Sequence, residues 1–156
     1  MEFNSYLAGR LEEVLLNGKW IANTNFNDQI TTTTWQQAIT KINTLNSIAA
    51  LTFHINYYLK GLINVFAGGQ LLIKDKYSFD MPDITTAAEW DNLTLEFYSN
   101  SEKFIHCVAH MNNSLFYQPF IKHEYGTYLR NIEAVIEHSY YHLGQITLIK
   151  KLLNKN

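Results

Sequence analysis

Two histidines four residues apart, His138 and His142, lie in the run Glu137-His138-Ser139-Tyr140-Tyr141-His142-Leu143-Gly144-Gln145-Ile146. An α-helix turns once in about 3.6 residues, so side chains at i and i+4 stand one above the other on a face. Their imidazoles can converge on one point, as two ligands of one metal ion must. Both also fall on an apolar stripe: Val135, His138, His142, Ile146, Ile149 and Leu153. Polar rings on an inward stripe need partners, because burying an unpaired polar group is costly. A metal ion is one such partner, and neighbouring hydroxyls are the alternative.

A third ring comes from Leu51-Thr52-Phe53-His54-Ile55-Asn56-Tyr57-Tyr58. His54 shares a stripe with Leu51, Tyr58, Leu62 and Val65, just past the middle of an expected long helix. If that helix packs beside the last one, His54 meets His138 and His142 at a common level. Three imidazoles leave one position open, as in catalytic-type sites, whereas closed structural zinc sites use four protein ligands. Taken alone, His54 reads as a satisfied core histidine. Ligand imidazoles must be neutral, so metal affinity is expected to fall steeply below about pH 6.

His106 and His110 form a competing i, i+4 pair. The apolar stripe of their helix is Phe97, Phe104, Val108 and Met111, and the pair falls beside it, in line with Glu102, Lys103 and Asn113. A solvated face is the reading for both. Cys107 is either a ligand alongside His110 or, more commonly for such a residue, an inert buried thiol, and His123 is a loop residue without a spacing partner. Tyr57, Tyr58 and Tyr141 neighbour the ligand candidates, either as packing or as pocket lining. Glu137 should point away from the stripe. Arg10 interrupts an apolar face, to bind an anion or to snorkel outward. Ser139 has no base and acid arranged for nucleophilic catalysis.

Around these residues the chain spells out helices. Residues 2–17 carry helical spacing through Phe3, Leu7, Leu11 and Val14, with Gly18 as a left-handed cap. A polar connection over 18–33 is expected to pack down through Trp20, Ile21 and Phe26. A second helix starts at a capping box, Thr33 to Gln36 or Thr34 to Gln37. It is expected to run without interruption to Gly68-Gly69, as a rod of roughly 50 Å. A second long connection covers 68–85. Thr86 and Glu89 open a third helix with Trp90, Leu93, Phe97, Phe104, Val108 and Met111 inward and Leu115 at its end. A link around 116–125 leads to the last helix, about Thr127 to Leu153, with a basic, fraying tail. The expected fold class is all-α: an antiparallel four-helix bundle with long connections, one domain over 1–156.

The chain of 156 residues is 47% hydrophobic and 17% charged, as in globular proteins. A formal net charge of −2 and the lack of a basic patch argue against nucleic-acid binding. One cysteine excludes an internal disulfide framework. The N-terminus lacks a signal-peptide pattern and no apolar run approaches the roughly 18 residues of a membrane span. A cytoplasmic setting without membrane partners is the expectation.

With both histidine segments in view, the chain resembles the DinB/YfiT-like family of bacterial four-helix-bundle metalloproteins over nearly all of its length. The resemblance rests on Phe53 to Leu59 and on the His-x-x-Tyr-His-x-Gly-Gln-Ile run from His138 to Ile146. It implies a divalent metal, zinc or nickel, held by His54, His138 and His142. It further implies homodimers, and a small-molecule substrate with a low-molecular-weight thiol as cosubstrate, by analogy with S-transferase and isomerase relatives. Metal-assisted hydrolysis is the second reading. A non-enzymatic metal- or ligand-binding module is the third.

Overall fold

The computed structural model describes residues 2–154, which hold six α-helices and no strand. Met1, Lys155 and Asn156 lie outside the described residues, and with them the end of the expected basic tail.

Helix α1 spans Phe3–Glu12 and passes into a π-helical turn over Glu13–Asn17. The expected left-handed cap at Gly18 is not found: its φ of −87° is ordinary extended backbone. Glycine is required there for space instead. A Cβ on Gly18 would sit 2.1 Å from Cγ of Glu13, because the wide turn folds the chain back over that residue.

The connection after Gly18 is not the uniform polar link expected. Asn25 caps a short helix, α2 (Phe26–Thr31), by accepting from the Asp28 N–H. Phe26 pins the segment as expected: it is fully buried and stacks on Phe97 at 5.3 Å. Trp20 and Ile21 do not, being 91% and 59% exposed.

The single rod expected from Thr34 to Gly68 is broken. The capping box is the one formed by Thr34 and Gln37, and it starts only a short helix, α3 (Trp35–Ile39). Thr40 then turns extended, Asn43 takes a positive φ, and Ser47 caps a new helix, α4 (Ile48–Phe66). The physical reason is local chemistry. Thr40, Asn43, Thr44, Asn46 and Ser47 have short polar side chains that compete with helical hydrogen bonds. Thr40 Oγ1, for example, donates to the Gln36 carbonyl at 2.6 Å. Helix α4 is therefore about 28 Å long and His54 lies in its first half, not past its middle.

Helix α5 (Ala87–Ala109) opens on the expected capping box of Thr86 and Glu89. Trp90, Leu93, Phe97, Phe104, Val108 and Met111 are all buried as their spacing predicts. The helix stops at Ala109, and Leu115 belongs to a separate 3-10 turn over Asn113–Tyr117. Helix α6 (Tyr128–Leu153) starts from Thr127, whose side chain accepts from the Arg130 N–H.

The four longer helices touch in a closed ring. Helix α4 packs along α5 and α6, and α1 packs along the same two from the other side. Their buried apolar side chains form one cluster. No helix among the described residues is long and apolar enough to cross a membrane.

The second long connection does more than link α4 to α5. Its first half lies back along α4 as a strap. The Tyr57 hydroxyl donates to the Lys74 carbonyl at 2.9 Å and accepts from the Lys74 N–H at 2.8 Å. Ile73 lies directly on Gly61, where an added Cβ would come within 2.7 Å of three of its side-chain atoms. The strap thus reaches the level of His54.

Candidate metal centre

The ring of helices brings His54 of α4 to His138 and His142 of α6, across 84 residues of sequence. One ligand atom from each of the three lies within 4.8 Å of the others. Nε2 of His138 is 3.2 Å from Nε2 of His54 and 2.8 Å from Nε2 of His142. Nitrogens about 2.0–2.1 Å from a zinc ion are roughly 3.4 Å apart in tetrahedral geometry and roughly 2.9 Å apart at right angles. The observed spacings are of that size.

Hydrogen bonding on the far side of two rings fixes which nitrogen carries the proton. Nδ1 of His54 faces the carbonyl of Ser78 at 3.3 Å. A carbonyl only accepts, so this nitrogen is the N–H and Nε2 is left with a lone pair. Nδ1 of His142 faces Oε1 of Gln145 at 2.6 Å, while Nε2 of Gln145 donates to the Tyr141 hydroxyl at 3.2 Å. His142 Nε2 is then a lone pair too. Two lone pairs therefore point at His138 Nε2, which can offer at most one hydrogen. At least one is left without a donor in a site where His54 and His142 are buried. A cation on the inner side of the three rings resolves this, and the donor set fits one. Outer hydrogen bonds of this kind are what metal-ligating histidines ordinarily make.

Burial sets the charge state. His54 and His138 each have their pKa lowered to about 4, chiefly because the pocket desolvates the imidazolium, and then by repulsion from His142. His142 is lowered as well, again by burial first. The rings are held neutral and ready to ligate. This moves the pH expectation. A folded-state pKa below the ordinary 6.5 means that protons compete with metal only at lower pH. Metal affinity, read by chelator competition, is expected to stay level from pH 7 to about pH 5 and fall steeply towards pH 4, instead of falling below pH 6. The metal-free fold has the matching sign. The unfolded chain takes up protons first, so stability falls as pH drops from about 6.5 towards 4.

The strap supplies residues that sequence spacing did not mark. Phe79 stacks on His54 with ring centroids 4.0 Å apart and planes 12° from parallel. The carbonyl of buried Ser78 orients the same ring. Asp75 accepts from the Tyr58 hydroxyl, and the Tyr58 ring meets both His54 and His138 edge-on at 5.0 and 5.5 Å. Burial, then the Asp75 carboxylate, pushes the Tyr58 phenol up to about 12, so it stays protonated. Gln145 was within reach of sequence reasoning, three residues after His142 on the same helical face. Gln145→Ala is expected to weaken metal binding by roughly 10–100-fold without unfolding the protein, checked by competition titration and circular dichroism.

The other candidates fall away from the centre. His106 and His110 are exposed, their rings tilted by 33° with centroids 4.0 Å apart, on the solvated face expected of them. Cys107 is half-buried, with burial raising its thiol pKa. His123 lies in an exposed 3-10 turn. Glu137 is exposed and pairs with Arg130 at 3.0 Å. Tyr141 is 63% exposed. Ser139 is fully buried, and its Oγ has no hydrogen-bond partner among the described residues.

A cavity of about 270 Å³ opens beside the centre, with His138 and Tyr58 in its wall. A larger cleft of about 640 Å³, lined by Lys60 and Glu96 among others, touches none of the three histidines.

The chain matches no protein-family model, no curated protein and no solved structure.

Proposed function

We propose that this chain is a divalent-metal-dependent enzyme of the DinB/YfiT-like four-helix-bundle type, acting on a small molecule in the cavity beside His138. The observation that carries the reading is the convergence of three Nε2 atoms with their outer nitrogens already engaged. Zinc or nickel on three neutral imidazoles supplies Lewis acidity and makes a water or thiol in the remaining position a nucleophile near neutral pH.

The chain's own residues would do the rest. His54, His138 and His142 hold the ion. Ser78 and Gln145 orient two of the rings, and Phe79 covers His54 on one face. Tyr58, protonated and held by Asp75, places a phenol at the edge of the cavity. Transfer of a low-molecular-weight thiol to a small electrophile is the first reaction class, on the strength of the motif resemblance. Metal-assisted hydrolysis is the second. A homodimer is part of the same resemblance.

The competing reading is a non-enzymatic module in which the ion only ties α4 to α6. Cobalt(II)-loaded protein separates the two. An open position predicts that the visible absorption of the cobalt shifts when a small thiol or azide is added. A spectrum that no added ligand changes would mean a closed, structural site.

A further inference from the structure

The wall of the cavity beside the histidines has a chemistry of its own. Leu62, Leu71, Ile73, Phe120 and Val135 make most of it apolar, and no lysine, arginine, aspartate or glutamate lines it. Its volume of about 270 Å³ falls just below the roughly 300–1,000 Å³ usual for pockets that take drug-sized ligands.

Two of the polar groups in the wall, Asn131 and Tyr58, act in one sense, and the Tyr125 hydroxyl and the His138 ring complete its polar lining. Asn131 spends both amide hydrogens on backbone, donating to the carbonyls of Tyr125 and Thr127 at 2.8 Å each. What remains on that side chain is an acceptor oxygen. Tyr58 spends its hydrogen on Asp75, so it too offers only a lone pair. The cations nearest in sequence to Asn131 stand outside the wall on the exposed surface: Arg130 beside Glu137, and Lys122 beside Glu124 with its Nζ 5.8 Å from the centroid of the Tyr125 ring. With no ion on the histidines, an anion entering this cavity would lose water and meet no lysine or arginine in its wall, which is costly.

We infer that the cavity receives a small, uncharged, mainly apolar molecule that carries a hydrogen-bond donor, and that its own wall, without the ion, discriminates against carboxylates of the same size. The inference deepens the proposed function and rests on that reading for its catalytic meaning.

The test uses the full chain, nitrogen-15-labelled and stripped of metal with a chelator, so that a carboxylate cannot report the ion instead of the cavity. Benzamide, benzyl alcohol and benzoate are titrated separately and followed by amide chemical shifts. Benzamide and benzyl alcohol are expected to move the amides of Phe120, Asn131, Ala134 and Val135, and benzoate to bind at least roughly tenfold more weakly. Ala134→Trp, which fills the cavity, should abolish the shifts. Benzoate binding as tightly as benzamide would overturn the inference. So would shifts mapping elsewhere on the wild-type protein, or no binding of any of the three at millimolar concentration. A zinc titration of the same sample reads the metal centre independently. Loss of the metal reading and loss of the cavity reading are therefore distinguishable.

Discussion

Replacing His142 with alanine is expected to lower zinc or nickel affinity by roughly 100-fold or more, beyond the loss typical of outer-sphere changes. His106→Ala is expected to leave affinity unchanged. The two substitutions remove the same side chain from similar settings, an i, i+4 pair on a long helix. They differ in what faces the pair. His142 Nε2 lies 2.8 Å from His138 Nε2, and His54 closes the triangle from another helix. His106 and His110 face solvent, outside the three-histidine group. Competition with a chromophoric chelator gives both affinities, and circular dichroism confirms that each variant is folded. Equal affinities in the two variants would place the ion elsewhere.

A second large effect is expected in thermal unfolding. An ion that binds only the folded chain at 100 times its Kd adds about 2.7 kcal/mol. For a protein of this size each kcal/mol raises Tm by about 2–4 °C, so saturating zinc should raise it by about 5–11 °C. The three rings are well placed for this, since they come from α4 and α6 and, through Ser78 and Phe79, touch the strap. His54→Ala should remove the zinc-dependent part of the shift. The variant's own Tm without metal serves as its baseline. A wild-type Tm that zinc does not move would contradict the binding of metal to the folded chain.

The convergence of the three histidines was legible in the sequence because helical period is a strong constraint. His138 and His142 had to share a face once α6 was recognised, and Val135, Ile146 and Ile149 showed that the face is inward. His54 was legible for the same reason, through Leu51, Leu62 and Val65. Its level along the chain was not, because the helix was drawn through Thr40 to Ser47. There, individually weak polar preferences add up to a break that periodicity alone does not register.

The strap was illegible for a different reason. Asp75, Ser78 and Phe79 come to the site from a connection with no repeating pattern, held by hydrogen bonds from Tyr57 and Tyr58 that only the folded chain defines. Trp20 shows the converse failure. Its size suggested an anchor, yet it stands almost wholly in solvent while Phe26 fills that role. The polarity of the cavity also depends on bonding. Asn131 and Tyr58 become pure acceptors only through partners that sequence spacing does not reveal.

The most direct test of the central claim is the metal content of untagged wild-type protein, measured by elemental mass spectrometry. The three converging histidines predict about one divalent ion per chain, as purified or after soaking with zinc or nickel. Protein that carries no metal, even after soaking and removal of excess, would contradict the metal centre. It would leave a helical protein with a histidine-lined core.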